Sequence, residues 1–407
     1  MLRTLSIGIG FAFSFFALQA CGSSSDDDSG AGAAGKPASG ATGGSGGSGA
    51  TGGSGATGGS GATGGSSSAA GGSGGTGGTS AGSDATVIAD PLTDPVDLAI
   101  DGDNAYLACW DNEGTGGGGI FKVPLGGGDL QLIIDEPQPY GVAVDDDYVY
   151  YLVGDITESA TFKRAKKDGT GVETLADSIS SITDSSSESD PLFTLYGDSI
   201  YFVGSDGTTN GVASIPKAGG AVSIVIPDDP TGLGYVNQLL GVDASGITYQ
   251  TLNIADLDHQ SVLHAKANGK GAAVVAMRDT SFSYYGDRIV DGSLYWVEQD
   301  GSDSEQSSAH AMSLSDGTDT TLATFDFPGA NYITSDADGT YVSADSGGKS
   351  GIYSIDASGQ AKLLHPDDVL SPGDEGTPRL LTSDSARLYW VSGGFNHNQA
   401  EVHAMSR

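Results

Sequence analysis

The chain has 407 residues, of which 17 are basic and 52 acidic, so its formal net charge is −35 at pH 7. A surface this acidic repels nucleic acid and anionic lipid, which we exclude as partners, and favours cations or basic partners. The alternative is that the charge serves solubility outside the cell or adaptation to salt. Length alone suggests two or three domains, but 27 of the 66 glycines lie before residue 84 and about 320 residues remain to build a core. That size suits a repeat architecture closed into a ring.

The N-terminus has the features of a secretion signal. Arg3 precedes an apolar run from Ile7 to Leu18, which is shorter than the ~20 residues of a membrane span. The run leads to the sequence Leu-Gln-Ala-Cys at residues 18–21, which resembles the bacterial lipobox. The resemblance implies that residues 1–20 are a lipoprotein signal peptide, and that the thiol of Cys21 is lipidated with diacylglycerol. The alternative is an ordinary secretory peptide followed by a coincidental cysteine.

Residues 21–84 are predicted to be a disordered tether. After Cys21 they contain Gly, Ser, Thr and Ala with few other residues, and none of the apolar side chains is larger than Ala. Such a segment cannot bury enough surface to offset the entropy of ordering. Gly22 after the cysteine resembles the default signal for export to the outer membrane. We therefore expect a protein anchored in the cell envelope by its lipid alone, at the outer membrane or cell surface.

Residues 85–407 repeat a unit of four predicted strands, in which the second strand has a central tyrosine. The tyrosine recurs at intervals of 44 to 51 residues, the length of one four-stranded blade. Alternating apolar residues and Gly/Asn/Asp turns indicate antiparallel strands throughout. The prediction is an all-β chain with a single β-propeller, most consistent with seven blades. The seven tyrosines are interpreted as packing between blades rather than as a ring of ligands: Tyr106, Tyr150, Tyr201, Tyr249, Tyr295, Tyr341 and Tyr389.

The two ends of the repeat region indicate how the ring closes. The seventh unit stops after its third strand, and residues 85–90 resemble the fourth strands of the other units. We predict that this segment completes the last blade, so that the N- and C-terminal strands close the ring and no sheet edge stays open at the seam. The alternative is that residues 85–90 are the last part of the tether. The remaining cysteine, Cys109, lies in an apolar strand and is expected to be a buried, unpaired thiol.

The repeats resemble those of NHL-repeat and YWTD-repeat propellers. The closest stretches are PYGVAVDDDYVYY, NYITSDADGTYVSADSGG and RLYWVSGG, and the pattern extends over residues 85–407. The YWTD tetrapeptide is never complete, and the third unit lacks the Pro-x-Gly start. The resemblance implies the propeller fold and binding through one face of the ring. It does not imply a substrate.

Binding residues are expected on the long polar loops that precede each first strand or join strands two and three, because loops of a rigid scaffold carry function. These loops bring carboxylates and exposed aromatic residues to one end of the ring. The predicted binding residues are Trp110, Tyr140, Tyr235, Asp300, Asp303, Glu305, Phe327, Phe395 and His397. The predicted structural histidines occupy matching third-strand positions: His264, His310 and His403.

Calcium is the cofactor that these carboxylates would favour, since it takes six to eight oxygen ligands. Asp300, Asp303 and Glu305 lie within one loop, but no segment fits the EF-hand pattern, and short Asp-Gly runs are typical of hairpin turns. No catalytic motif is recognisable. The hypothesis that follows is a cell-envelope module binding an extracytoplasmic protein or glycan. The alternatives are a propeller enzyme of lyase or lactonase type with a metal near the axis, similar to streptogramin lyase, and a structural role in the envelope.

Overall fold

A computed structural model describes residues 85–110, 118–155, 159–180, 192–229, 232–253, 256–300, 306–344, 349–366, 378–393 and 400–407. All of these residues belong to one compact unit, residues 77–407. The regular structure of the described residues is entirely β, and it forms seven four-stranded antiparallel sheets. No described helix is long and apolar enough to cross a lipid bilayer.

The first four blades are formed by strands β2–β5, β6–β9, β10–β13 and β14–β17. Their bounds are Pro95–Ile100, Asn104–Cys109, Gly119–Pro124 and Gln131–Asp135 in blade 1, and Pro139–Val144, Tyr148–Asp155, Ser159–Lys166 and Glu173–Ile179 in blade 2. In blade 3 they are Phe193–Tyr196, Ser199–Ser205, Asn210–Pro216 and Ser223–Pro227. In blade 4 they are Tyr235–Val242, Ile247–Asn253, Asp256–Ala265 and Ala273–Asp279.

Blades 5 and 6 are formed by strands β18–β21 and β22–β25, and blade 7 by β26–β28 with β1. The bounds are Phe282–Val290, Ser293–Asp300, Ser307–Ser313 and Asp319–Phe325 in blade 5, and Ala330–Asp336, Gly339–Ala344, Gly351–Ile355 and Ala361–Pro366 in blade 6. In blade 7 they are Arg379–Ser383, Arg387–Ser392, Ala400–Ser406 and Thr86–Leu92. The first strands contact one another in cyclic order, and β2 contacts β26 to complete the ring. The predicted seven-bladed propeller is therefore confirmed.

The topology gives the ring two distinct faces. The upper face carries the connections between strands two and three and the connections between blades, whereas the lower face carries the turns joining strands one and two and strands three and four. Each first strand therefore runs downward along the axis, and each fourth strand runs upward at the rim.

The predicted closure of the ring is also confirmed. Strand β1 pairs with β28, with Thr86 opposite Ala404 and Leu92 opposite Ala400. Leu92 is only 1% exposed and packs in the largest apolar cluster together with Ile88. The seam is thus held by a hydrogen-bonded ladder and by burial of apolar side chains, without a disulfide: Cys109 is a buried free thiol, and burial raises its pKa.

The seven repeated tyrosines lie in the second strands of the seven blades. Five of them are buried, namely Tyr106, Tyr150, Tyr249, Tyr341 and Tyr389, and Tyr201 and Tyr295 are half-buried. An aromatic ring buries a large area while its hydroxyl can still find a polar partner. Their place in the apolar clusters confirms that they are packing residues.

One prediction about the histidines is wrong. His310 and His403 do occupy matching positions, each opposite a second-strand tryptophan on which it stacks, Trp296 and Trp390 respectively. His264 instead lies opposite Thr248, the residue before the blade tyrosine rather than the residue after it. The third-strand sequences around His264 and His310 look alike. In blade 4, however, the pairing of strand two with strand three is shifted by two residues relative to blade 5, so the two histidines take different positions.

Blades 4 and 5 are joined by a buried ion pair. Arg278 in β17 and Asp287 in β18 are 4% and 2% exposed, and their closest side-chain atoms, Nη2 and Oδ1, are 2.5 Å apart. The guanidinium also donates to Gln250 and lies over the ring of Tyr284. A buried pair of this kind needs additional hydrogen bonds to offset the loss of hydration.

Candidate functional site

The first strands enclose a cavity along the axis of the ring. Its volume is about 300 Å³, and it is lined by residues of blades 1, 2, 3, 5 and 7. Among the lining residues of the described chain, two carry a formal charge, Asp97 from blade 1 and Arg288 from blade 5.

Asp97 links blade 1 to blade 2 within this cavity. Its Oδ1 accepts the N–H of Leu98 and its Oδ2 accepts the N–H of Val142, each at 2.8 Å. Burial raises the pKa of Asp97, although these two hydrogen bonds and the charge of Arg288 act in the opposite direction. Gly141 allows the close approach, because a Cβ there would lie 3.1 Å from the ring of Phe193 and 3.4 Å from Oδ2 of Asp97.

Arg288 brings a guanidinium to the axis from the opposite part of the ring, and its Nη2 lies 3.4 Å from the carbonyl oxygen of Leu381. Neither Asp97 nor Arg288 was among the predicted site residues. The available signal was a single charged residue within an otherwise apolar first strand, as in Pro95–Ile100. A charged residue in such a strand does not by itself indicate that its side chain points toward the axis of the ring.

Trp110 and Tyr140 form an aromatic pair at the upper face. Their ring centroids are 4.9 Å apart with planes at 71°, an edge-to-face arrangement. The Nε1–H of Trp110 donates to the carbonyl oxygen of Pro139 at 2.8 Å, which fixes the indole of blade 1 against blade 2. Tyr140 also lines the axial cavity. Both rings are half-buried, so each keeps an accessible surface.

The structure separates the other predicted binding residues. Tyr235 is 40% exposed at the start of blade 4 and does not line the cavity. Phe327 is 6% exposed and packs against Phe325 and Tyr353, so the prediction that it is an exposed loop aromatic is wrong. Its side chain packs in an apolar cluster formed by residues of blades 5 and 6.

The remaining predicted residues are not characterised structurally. Asp303, Glu305, Phe395, His397 and the lipidation site Cys21 lie outside the described residues, and only the backbone of Asp300 is described, as the last residue of β19. Within the described ranges, no three His, Cys, Asp or Glu side chains are grouped so that they could hold a metal ion. The calcium hypothesis therefore stays a prediction about the loop 300–305.

Ion pairs join neighbouring blades at the lower face. Lysines pair there with turn aspartates of the preceding blade, as in Lys167–Asp101 at 3.0 Å and Lys217–Asp145 at 3.1 Å. Part of the acidic excess of the lower-face turns is therefore neutralised by lysines of the next blade.

No protein-family model and no curated protein matches the chain. Solved structures that are similar include an oligogalacturonate lyase in complex with manganese, with a TM-score of 0.52 and 12% identity over 80% of this chain and 93% of that chain. A puromycin hydrolase has a TM-score of 0.51 and 12% identity over 75% of this chain, which spans about half (52%) of the hydrolase. BamB from Moraxella catarrhalis has a TM-score of 0.42 and 15% identity over 79% of this chain and 99% of that chain. At these identities the likeness shows the propeller fold alone.

Proposed function

We propose that this chain is a lipid-anchored protein of the cell envelope whose propeller binds an extracytoplasmic protein or glycan at its upper face. The observation that carries the proposal is the Trp110–Tyr140 pair beside the axial cavity. Two aromatic rings fixed in accessible positions offer apolar faces, at 71° to each other, against which a sugar ring or an apolar side chain can pack. Because the hydrogen bond to Pro139 already orders the indole, little side-chain entropy is lost when a ligand binds.

A propeller enzyme of lyase or lactonase type is the second candidate. The observation in its favour is Asp97, a carboxyl group with a raised pKa in a cavity that also contains Arg288. Both oxygens of Asp97 nevertheless accept backbone N–H groups, and those bonds join two blades. This arrangement fits a residue that holds the ring together better than one that exchanges protons with a substrate, so we prefer binding.

Tryptophan fluorescence of the purified full chain in detergent tests the proposal. Trp296 and Trp390 are 5% and 1% exposed, so Trp110 is the tryptophan that a ligand can reach. The probes are neutral hexasaccharides of glucose and of N-acetylglucosamine, fractionated envelope glycans, and secreted proteins of the producing cell. We expect a saturable change in emission of the wild type with one of these probes. The affinities of Tyr140→Ala and of Trp110→Ala, which lacks the fluorescent reporter, are measured by isothermal titration calorimetry and should be about tenfold or more weaker.

Tyr235→Ala is the matched control, since it removes an exposed aromatic ring away from the cavity. A ligand whose affinity is unchanged by Trp110→Ala and Tyr140→Ala would overturn the proposed site. Oligogalacturonate, named for the similar lyase, tests the second candidate. Formation of an unsaturated product that stops with Asp97→Asn would favour the enzyme over the binding module.

A further inference from the structure

In six of the seven blades, a residue of the first strand lies directly opposite the repeated tyrosine of the second strand. These residues are Ala99, Ala143, Thr194, Arg288, Thr334 and Thr382. The tyrosine is close to the lower-face turn, as the hydrogen bond from Tyr106 to Asp101 shows. The six residues therefore share one level of the axis, towards the lower end of the ring. We call it the tyrosine level.

Three polar side chains of the tyrosine level line the axial cavity. Arg288 comes from blade 5, whereas Thr194 and Thr382 come from blades 3 and 7, each two positions away in the ring. The Nη2 group of Arg288 lies 3.4 Å from the carbonyl oxygen of Leu381, so the guanidinium is beside the backbone of the residue that precedes Thr382. One cationic group and two hydroxyl groups thus line the same part of the cavity.

The other side of this level is formed by small side chains. Ala99 and Ala143 of blades 1 and 2 line the cavity at the level at which Arg288 enters from blade 5. A methyl group leaves space that a larger side chain would fill, so the cavity extends down to the tyrosine level. Its volume of about 300 Å³ is at the lower end of the range for ligand pockets, which indicates a small ligand.

The charges in the cavity define the class of ligand. A guanidinium presents N–H donors in a planar fork that matches a carboxylate, and threonine hydroxyls can donate to the same oxygens. Asp97 is close enough for the charge of Arg288 to act on it, but both of its carboxyl oxygens accept backbone N–H groups at 2.8 Å. A carboxyl group already in the cavity disfavours a ligand with two negative charges. A single carboxylate therefore fits better than a phosphate dianion.

We propose that the lower part of the axial cavity binds an organic acid about the size of a monosaccharide, with one carboxylate held by Arg288 and by the hydroxyl groups of Thr194 and Thr382. The site goes beyond the surface proposed above for a protein or glycan, because it lies on the axis at the tyrosine level. The alternative is that Arg288 only joins blade 5 to blade 7 through the carbonyl group of Leu381.

Isothermal titration calorimetry of the purified full chain in detergent tests the site. The probes are D-glucuronate, D-gluconate, D-glucose and inorganic phosphate, at equal ionic strength. We expect saturable binding of the two acids, with glucose and phosphate bound about tenfold or more weakly. Arg288→Gln should weaken binding of the acids about tenfold or more, because the charged donor is lost. Thr194→Val and Thr382→Val should each weaken it about threefold, as expected for a neutral hydrogen bond.

Thr334→Val is the matched control. Thr334 occupies the tyrosine level in blade 6 but is not among the lining residues of the cavity, so this variant should bind the acids like the wild type. Ala143→Leu leaves Arg288 in place and should abolish binding, because the larger side chain fills the space at this level. It decides the question together with the two cavity threonines if circular dichroism shows that Arg288→Gln does not fold.

Three results would overturn the proposal. One is the absence of saturable binding of both acids, and another is equal affinity for D-glucuronate and D-glucose. The third is wild-type affinity in a folded Arg288→Gln variant or in Ala143→Leu, which would leave Arg288 as a residue that only joins blades. Tighter binding of phosphate than of either acid would overturn the assignment of a carboxylate.

Discussion

The phenolic hydroxyl of Tyr150 donates a 2.9 Å hydrogen bond to Oδ2 of Asp145, the first residue of the turn that leads into the strand of Tyr150. The same carboxylate also accepts the backbone N–H of Tyr148 and pairs with Lys217 of the next blade. Equivalent tyrosine–aspartate bonds occur in blades 1 and 7, at Tyr106–Asp101 and Tyr389–Asp384. The repeated tyrosine therefore does more than fill the core: it orders the lower-face turn and, through the aspartate, contacts the neighbouring blade.

We expect Tyr150→Phe to lower the free energy of unfolding by about 1 kcal/mol, because the hydrogen bond to Asp145 is lost while the ring still fills its place. Urea unfolding followed by circular dichroism measures the change. Tyr235→Phe serves as the control, since Tyr235 is exposed and should change stability by less than about 0.5 kcal/mol. Equal stability of the two variants would show that the hydroxyl of Tyr150 contributes nothing to the blade.

Strand β1, which closes the ring, contains a buried and an exposed apolar residue whose substitutions can be compared. Leu92→Ala should lower the free energy of unfolding by about 2–5 kcal/mol, since Leu92 is 1% exposed and its loss leaves a cavity beside β28. Val87→Ala, in the same strand but 44% exposed, should change it by less than about 0.5 kcal/mol. Similar losses in thermal and urea unfolding for the two variants would contradict a seam held by the inward side of β1.

We expect the buried His403 to make the free energy of unfolding depend on pH in the acidic range. Burial, with a smaller effect of His365, lowers the pKa of His403 to about 4 from its ordinary value of 6.5. Between these values the unfolded chain binds a proton that the folded chain does not, so stability is lost as pH falls from about 6.5 to about 4. The loss from this residue should be at most about 3 kcal/mol.

Urea unfolding at pH 7 and pH 5 measures this dependence. His403→Phe should reduce it, whereas Val87→Ala, which changes an exposed side chain that does not titrate, should leave it unchanged. Glu401 also contributes to the pH dependence, and it lies next to His403, with Oε2 3.3 Å from Nε2 of His403. Burial and the charge of Asp90 raise the pKa of Glu401, so its contribution has the opposite sign and is lost as pH rises through that raised pKa. An unchanged pH dependence in His403→Phe would remove His403 as the cause.

Lipidation of Cys21 can be tested by whether the protein partitions into a detergent phase or an aqueous phase. Cys21→Ser should move the chain from the detergent fraction to the aqueous fraction in Triton X-114 partitioning, because the acyl chains would have no thiol to which they could attach. Cys109→Ala is the control and should stay in the detergent fraction, since that thiol is buried in the propeller. Detergent partitioning of Cys21→Ser that equals the wild type would contradict the lipobox interpretation.

The blade count and the closure could be predicted because they depend on features that repeat within each unit. The spacing of Tyr106 and its six equivalents identifies the blades, and the missing fourth strand of the last unit identifies β1 as its replacement. The charges on the axis could not be predicted in this way. Asp97 and Arg288 meet in one cavity only because blades 1 and 5 close on the same axis, and no local pattern in either strand encodes that meeting.

The side-chain directions of Phe327 and Arg278 also could not be predicted from the sequence. Phe327 follows strand β21 in a segment with the polar, Pro/Gly-containing composition of a loop, yet contacts with Tyr353 of the next blade bury it. Arg278 would be expected to protect the edge of β17, but a partner on β18 draws it into the core. In both residues the direction of the side chain is decided by a neighbouring blade, which sequence periodicity within one strand does not describe.

The direction of β1 has a mechanical consequence. Thr86 begins the strand at the lower face, opposite Ala404 near the end of β28, and the strand then runs upward along the rim. A pull between the segment preceding Thr86 and a ligand held at the upper face therefore acts lengthwise along β1. Hydrogen bonds of an antiparallel pair are perpendicular to the strands, so they share this load together instead of opening one after another. The strand that closes the ring is thus also oriented to resist being drawn out of it.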